Sequence, residues 1–379
     1  MQEKVADLTP APQSSVADPL GLAEALRKQI RGDVRFDNQS RALYSTDGSN
    51  YRQVPIGVVL PRDADDVLAA ISISREFGAP ILNRGAGTSL AGQCCNVAVI
   101  LDFSKYMANI LEIDPGRRIA RVQPGVVLDH LRDAAEKYHL TFGPDPATHD
   151  RCTLGGMIGN NSCGVHSVMA GKTDENIEDL EVVTYDGTRM KVGQDFIRSA
   201  GGPEVSGRSA LRVEHLYSSL KQIADQYGDL IRQKFPNIPR RVSGYNLNYL
   251  LPENGFHIAR ALVGSEGTCA TVLEATCRLV ESPPQRVLAV VAYPDIYQCA
   301  DAVPEIMRHK PIGLEGFDDL LVYYERVKGI NTEGLSLLPE GGGWLMVEFG
   351  GQTLSEAESK ALQLIDALSH SATPPKVQL

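Results

Sequence analysis

Residues Asn83–Gln93 read NRGAGTSLAGQ, and the reading of this stretch decides the fold. Gly85 and Gly87 stand among Arg84, Ala86, Thr88 and Ser89, directly after the strand-like run Pro80–Asn83. Glycines let a backbone approach a ligand closely and adopt left-handed angles. The amides and hydroxyls then offer several donors to a diphosphate. A GxGxxG fingerprint would need glycine at position 90, where Leu90 stands, so a Rossmann site is excluded. No GK[ST] follows, which excludes a Walker loop. Taken alone, the stretch fits a plain glycine-rich turn as well as it fits a phosphate site.

Working outward, Ile56–Leu60 (IGVVL) reads as a buried strand ended by Pro61. Asp63, Asp65 and Asp66 suit the positive end of a helix dipole. Val67, Ile71 and Phe77 then fall on one helical face up to Gly78. The pattern predicts a parallel β-α-β unit with the glycine loop after its second strand. Ile119–Val122 is strand-like, Val127–Tyr138 helical, and Arg212–Phe235 a long helix. Asp186-Gly187 between two apolar runs is a hairpin signal.

Two more glycine-rich segments follow. Residues 143–164 read GPDPATHDRCTLGGMIGNNSCG, where Gly155, Gly156 and Gly159 expose backbone and Thr153, Asn160, Asn161 and Ser162 can hydrogen-bond. A polar surface loop is the alternative reading. Val263–Thr268 (VGSEGT) lies before the strand-like run Ala270–Val280. Several such loops beside strand–helix units fit one long polar cofactor better than unrelated turns.

Beyond Pro283-Pro284 the pattern renews itself as strand Arg286–Tyr293, helix Tyr297–Arg308, Ile312–Phe317, strand Trp344–Phe349 and helix Leu354–Leu368. That order asks for one more strand to complete a split β-α-β sandwich. The ending SHSATPPKVQL carries no strand signal, so the second domain reads as incomplete.

Composition limits the function. The 379 residues are 43% hydrophobic and 22% charged, enough for two or three domains. A net charge of -10 argues against a general binder of nucleic acid or anionic membranes. No apolar run approaches the roughly 18 residues of a membrane span. The first twenty residues have no signal-peptide layout and read as a polar leader, so a cytoplasmic location is expected. Seven cysteines without a CxxC or a close Cys/His cluster signal neither zinc nor an iron–sulfur site, and reduced thiols are expected.

The order RGAGTSLAGQ, PGV (124–126), PDPAT with TLGGMIGNNSCG, and VGSEGT with EATCRL resembles the FAD-binding domain of the vanillyl-alcohol oxidase/PCMH flavoprotein superfamily. The resemblance runs over about residues 44–280 and is nearest to the D-lactate dehydrogenase, glycolate oxidase and D-2-hydroxyglutarate dehydrogenase branch. GNNSCG and RRVSGYNLNYLLPENG (240–255) further resemble the long members fused to an iron–sulfur region. The resemblance implies an α+β chain: a flexible leader (1–20), a PCMH-type FAD-binding domain of two α/β subdomains (21–283), a partial ferredoxin-like cap domain (284–370) and a tail (371–379).

It also implies site residues. Arg84, Gly85, Ala86, Gly87, Thr88, Ser89 and Gln93 would belong to the pyrophosphate loop. Pro144, Asp145, Thr153, Gly155 and Gly156 would line the path toward the isoalloxazine, with Asn161, Ser162 and Gly164 beside them. Asn176 and Ile177 would pack near the adenosine, and Glu266 and Gly267 would close the far side. Cys163 and Ala170 depart from the branch, which often has Gly and Tyr there, but neither change removes a pyrophosphate donor. Non-covalent FAD is implied, with no link assigned to His149, Cys163 or His166.

The implied activity is oxidation of a small D-2-hydroxy acid by hydride transfer to flavin N5. Electrons would pass on to an acceptor such as an iron–sulfur domain or subunit. The branch's HxGDGNxH motif is absent, and His309 and His370 are isolated, so no catalytic base is assigned. Arg241 and Tyr245 are candidates for the substrate end, although a solvated arginine pair at 240–241 is the commoner situation. A truncated or partner-dependent FAD-binding module stays open as the alternative.

Overall fold

A computed structural model describes residues 16–200 and 207–379. Residues 1–15, most of the expected leader, lie outside the described residues. The chain divides into two compact units. The first holds the described residues up to Arg132 together with Thr148–Ser162 and Thr173–Arg278; the second holds Asp133–Ala147, Cys163–Lys172 and Leu279–Leu379.

The first unit has two sheets. One contains β1 (Asp33–Arg35), β2 (Gly57–Leu60), β3 (Ile81–Arg84) and β4 (Val99–Asp102) in the order β1-β2-β4-β3. β2 and β3 each run parallel to β4, so the expected β-α-β crossover exists with a strand between its two ends. β4, fully buried, was not anticipated as a strand. The crossover helix Ala64–Glu76 starts on Asp63, whose carboxylate accepts from the N–H groups of Asp65 and Asp66. Asp66 is itself buried and accepts from the N–H groups of Arg31, Gly32 and Arg62, tying three loop amides to the helix start. Val67, Ala70 and Ile71 of this helix pack with Val59, Val99 and Leu101 in the unit's main core.

The other sheet contains β5 (Ile110–Asp114), β6 (Ile119–Val122), β8 (Ile177–Val183), β9 (Arg189–Gly193), β10 (Phe196–Ser199) and β11 (Thr271–Arg278), in the order β10-β9-β8-β11-β6-β5, all antiparallel. β8 and β9 form the expected hairpin around Asp186-Gly187, with Gly187 at φ +88°.

In the second unit β7 (Leu140–Thr141) pairs with β12 (Val280–Glu281). Its main sheet has β13 (Gln285–Tyr293), β14 (Gly313–Asp318), β15 (Gly343–Gly351) and β16 (Lys376–Gln378) in the antiparallel order β14-β15-β13-β16. With helices Ile296–Arg308 and Leu354–Ser369, this is a β-α-β-β-α-β unit. The strand expected to be missing is therefore present, and that expectation is corrected. β16 has only three residues and follows Pro374-Pro375; its lone apolar residue, Val377, packs against the core from an edge, so no apolar run announces it.

Alternation along the strands separates two faces. Ala289, Val291, Leu345, Val347 and Phe349 meet Ala361, Leu364 and Leu368 on the helix-covered face. The opposite face carries Arg286, Leu288, Val290, Met346 and Glu348, and at one end Trp344 and Phe317, stacked at 5.6 Å. That aromatic end is covered by Val322, Leu335 and Leu338 of the segment after β14.

Candidate functional site

The three glycine-rich segments of the first unit converge on one cleft of about 790 Å³ that opens to solvent. Arg84, Gly85, Ser89 and Gln93 come from the loop after β3, Thr153, Gly155 and Gly156 from the second segment, and Glu266 and Gly267 from the third. The mix of apolar wall with a few convergent polar groups suits a cofactor or substrate site.

Arg84 builds the loop. Its Nη1 donates to the carbonyls of Tyr44 (3.2 Å) and Cys94 (3.1 Å), and Nη2 donates to that of Thr46 (2.8 Å). Three carbonyls held by one guanidinium fix the return of the chain, and the Gly48 N–H donating to the Gly87 carbonyl (2.9 Å) closes it. Gly87 sits at φ +71°, which glycine adopts without strain. Ala86, Gly87 and Thr88 belong to this loop but do not line the cleft.

The second segment was read as a loop, and here the structure differs. Leu154–Asn160 is a helix, started by Thr153, whose hydroxyl accepts from the Gly156 N–H (3.3 Å). It ends on Asn161, left-handed at φ 50°. Three glycines in seven residues lower intrinsic helicity, so tertiary packing sustains this helix. A Cβ at Gly85 would lie 2.0 Å from Thr153 Oγ1, and one at Gly155 would lie 2.7 Å from Pro124 Cβ. At Gly159 the nearest atom would be 3.8 Å away, so that glycine leaves the cleft wall bare. The third segment docks on the helix through N–H donation from Gly264 to the Ile158 carbonyl (2.8 Å) and from Glu266 to the Gly159 carbonyl (3.0 Å). Gln93 Nε2 approaches Glu266 Oε1 at 3.4 Å across the mouth.

Along this helix end, Asn160 and Asn161 face different surroundings. Asn160 lines the cleft, its amide 3.5 Å from Ser89 Oγ. Asn161 is fully buried and turned to Asp174: its Nδ2 donates to Asp174 Oδ2 (2.8 Å), and its Oδ1 accepts from the Asp174 N–H (3.0 Å). Asn246 Nδ2 donates to the same carboxylate at 3.1 Å. The Ser162 carbonyl accepts from the Thr173 N–H and hydroxyl. Asn176 and Ile177 are buried at the start of β8. Arg241 donates to Asn248 Oδ1 (2.7 Å) and lies over the Phe235 ring, and the Tyr245 hydroxyl is 2.9 Å from Thr268 Oγ1. Asn83 and Cys94 line the cleft without having been singled out; adjacency to the glycines was their signal.

Pro144, Asp145 and Gly164 belong to the second unit, where Asp145 joins an ion cluster. His166 Nδ1 lies 2.5 Å from Asp145 Oδ2, and its Nε2 lies 2.9 Å from Glu348 Oε2. The His166 N–H donates to Asp145 Oδ1 (2.9 Å). Asp145 first and Glu348 second hold the imidazolium, raising its pKa to about 9 against the cost of burial. Burial pushes Glu348 up, but His166 and Arg286 outweigh it and leave the carboxyl below its ordinary value. Arg286 Nη1 is 3.4 Å from Glu348 Oε1. Among the described residues no group of three or more His, Cys, Asp or Glu could hold a metal, and all seven cysteines are free thiols.

Comparison with known proteins follows from this geometry. Residues 55–193 match the family model described as "FAD binding domain". These residues are an FAD-binding domain. The resemblance read from the motifs is borne out, and FAD is the cofactor of the domain. Over 355 residues the chain is 32% identical to the D-2-hydroxyglutarate dehydrogenase of Pseudomonas putida, covering 91% of this chain and 35% of that protein. It is 32% identical to the glycolate oxidase subunit GlcD of Bacillus subtilis, covering 82% of this chain and 57% of that one. A D-lactate dehydrogenase of Archaeoglobus fulgidus is 27% identical over 85% of this chain. The chain thus spans about a third of the dehydrogenase from P. putida and just over half of the GlcD subunit. Among solved structures, p-cresol methylhydroxylase shares the fold at TM-score 0.63 and 15% identity over 94% of this chain and 65% of that one. An alkyldihydroxyacetonephosphate synthase does so at 0.62 and 14% over 100% and 64%. The fold is the PCMH type. No helix among the described residues is long and apolar enough to cross a membrane.

Proposed function

We propose that this chain is the flavin-binding part of an oxidoreductase acting on a small 2-hydroxy acid. The observation that carries the reading is the cleft of the first unit, where three glycine-rich segments meet inside and beside the matched FAD-binding domain. The donor chemistry suits the cofactor: main-chain amides of the loop after β3, Ser89 and Thr153 hydroxyls and the Asn160 amide for the pyrophosphate, with bare backbone at Gly156 and Gly159. Arg84 is the one cation among the described residues lining the cleft, and it holds the loop rather than offering a free fork. When bound, FAD supplies a two-electron acceptor at its flavin ring. The residues of this chain position and shield it.

The names of the relatives support the substrate class: a 2-hydroxyglutarate, a glycolate and a lactate enzyme. The common feature is a carboxylate beside a carbinol carbon. D-lactate, glycolate and D-2-hydroxyglutarate are therefore the candidates, with a second protein or domain as electron acceptor. The second reading is a partner-dependent FAD-binding module; the chain spans about a third of the P. putida relative. Anaerobic addition of the three acids to the FAD-loaded chain separates the readings. Bleaching of the flavin by one acid supports the oxidoreductase and identifies its substrate; bleaching by none supports the module.

A further inference from the structure

Helix Asp319–Lys328 of the second unit (DLLVYYERVK) turns most of its apolar side chains to solvent. Asp318 starts it, its carboxylate accepting from the Leu321 N–H at 2.9 Å, and Gly329 ends it in the left-handed region at φ 66°. Val322 alone is buried, packed with Ala292, Leu335 and Trp344. Leu320, Leu321, Tyr323, Tyr324 and Val327 are each between 48% and 65% exposed. Single apolar residues at a surface are ordinary, but a contiguous apolar patch marks an interaction site.

Their spacing gives the patch a direction. Leu320, Tyr323, Tyr324 and Val327 stand at i, i+3, i+4 and i+7, one helical face, opposite the face that Val322 commits to the core. Asp319 and Arg326 also stand at i and i+7, so they share one flank of that stripe, acid at the start and base at the end. Both are exposed, and among the described residues neither forms an ion pair. A two-fold axis across the middle of the helix sets two copies antiparallel. Each Asp319 then faces the Arg326 of the other copy. The apolar stripe meets itself, with Leu320 near the other copy's Val327 and the tyrosines at the centre. A parallel pair would bring acid to acid and base to base.

We propose that helix Asp319–Lys328 is the contact through which two copies of this chain pair, antiparallel about a two-fold axis. The order of charge on the flank is complementary to itself, which favours a second copy over a different protein as the occupant. A helix of this length is about 15 Å long, so the pair falls at the small end of specific interfaces. Pairing is therefore concentration-dependent. It involves residues of the second unit only and is independent of the oxidoreductase reading.

Sedimentation equilibrium of the full FAD-loaded chain over a concentration series tests this. The wild-type mass should rise from 41.1 kDa toward twice that value. Val327→Glu should weaken pairing at least tenfold, with circular dichroism, FAD content and melting temperature unchanged. Asp319→Lys and Arg326→Glu should each weaken it severalfold, because like charges then face each other on both sides of the axis. Mixed in equal amounts, these two variants should recover most of the wild-type affinity, since the mixed dimer restores both opposite-charge contacts. A wild-type chain that stays at 41.1 kDa into the millimolar range overturns the pairing, whatever else covers the patch. So does a dimer that Val327→Glu leaves intact, which another surface would hold. A mixture no more dimeric than its two components would rule out the antiparallel arrangement.

Discussion

The cleft of the first unit takes its shape from glycines in three segments, whereas the cluster around His166 in the second is built from charged side chains. The cleft depends on what is absent: Gly85 and Gly155 let segments pack too closely for a Cβ, and Gly159 leaves space. The cluster depends on what is present: two carboxylates, an imidazolium and a guanidinium, mostly buried and mutually neutralising. Steric sites of the first kind fail abruptly when a single atom is added. Electrostatic sites of the second kind fail gradually, with pH or with the loss of one partner.

The largest effect expected from that contrast is at Gly85. Gly85→Val places a Cβ where Thr153 Oγ1 now sits, 2.0 Å away, and separates the loop from the helix start. FAD affinity should fall more than about 100-fold, roughly 3 kcal/mol, as read by fluorescence titration. Retention of FAD would show that the loop and helix need not touch.

Next is the pH response of the cluster. The His166 pKa is raised from 6.5 to about 9 by Asp145 and Glu348, with Arg286 alongside. A raised folded value means the contribution is fully present below about pH 6.5 and is lost as pH rises through about 9. Its size is on the order of 3 kcal/mol. Urea unfolding between pH 6 and 10 should show this decline, and His166→Gln should flatten it. A wild-type profile identical to that of the variant would remove the cluster as a source of stability.

The smallest effect is local. Thr353 Oγ1 accepts from the Glu356 N–H (3.2 Å), and Glu356 Oε2 accepts from the Gln352 N–H (2.9 Å), capping the start of helix Leu354–Ser369. Thr353→Ala should cost about 1 kcal/mol with FAD binding unchanged, by denaturant titration. A loss of FAD alongside would contradict the separate roles given to the two units.

The same contrast explains what the sequence allowed to be read. Glycines and hydroxyls after a strand are a local signal, so the loop at 84–89 and the 266–267 turn stood out. Helix Leu154–Asn160 did not, because LGGMIGN has the composition of a loop; only Thr153 before it and Asn161 after it mark its ends. The one-residue difference between Asn160 and Asn161 follows from that helix phase. β4 went unread because it is a short apolar run without turn residues framing it, and β16 because three residues carry no periodicity. The His166 cluster has no local signature: its partners lie 21 residues upstream and 182 downstream.

Gly159→Leu tests whether the first unit's cleft holds FAD, because Gly159 lines the cleft and a Cβ there meets no atom outside its own helix nearer than 3.8 Å. FAD titrated into the wild-type chain should bind at one per chain and acquire a perturbed visible spectrum. The variant should bind at least tenfold more weakly while its circular dichroism and melting temperature stay the same. Equal FAD affinity in the two proteins, or no binding to the wild-type chain, would contradict the account.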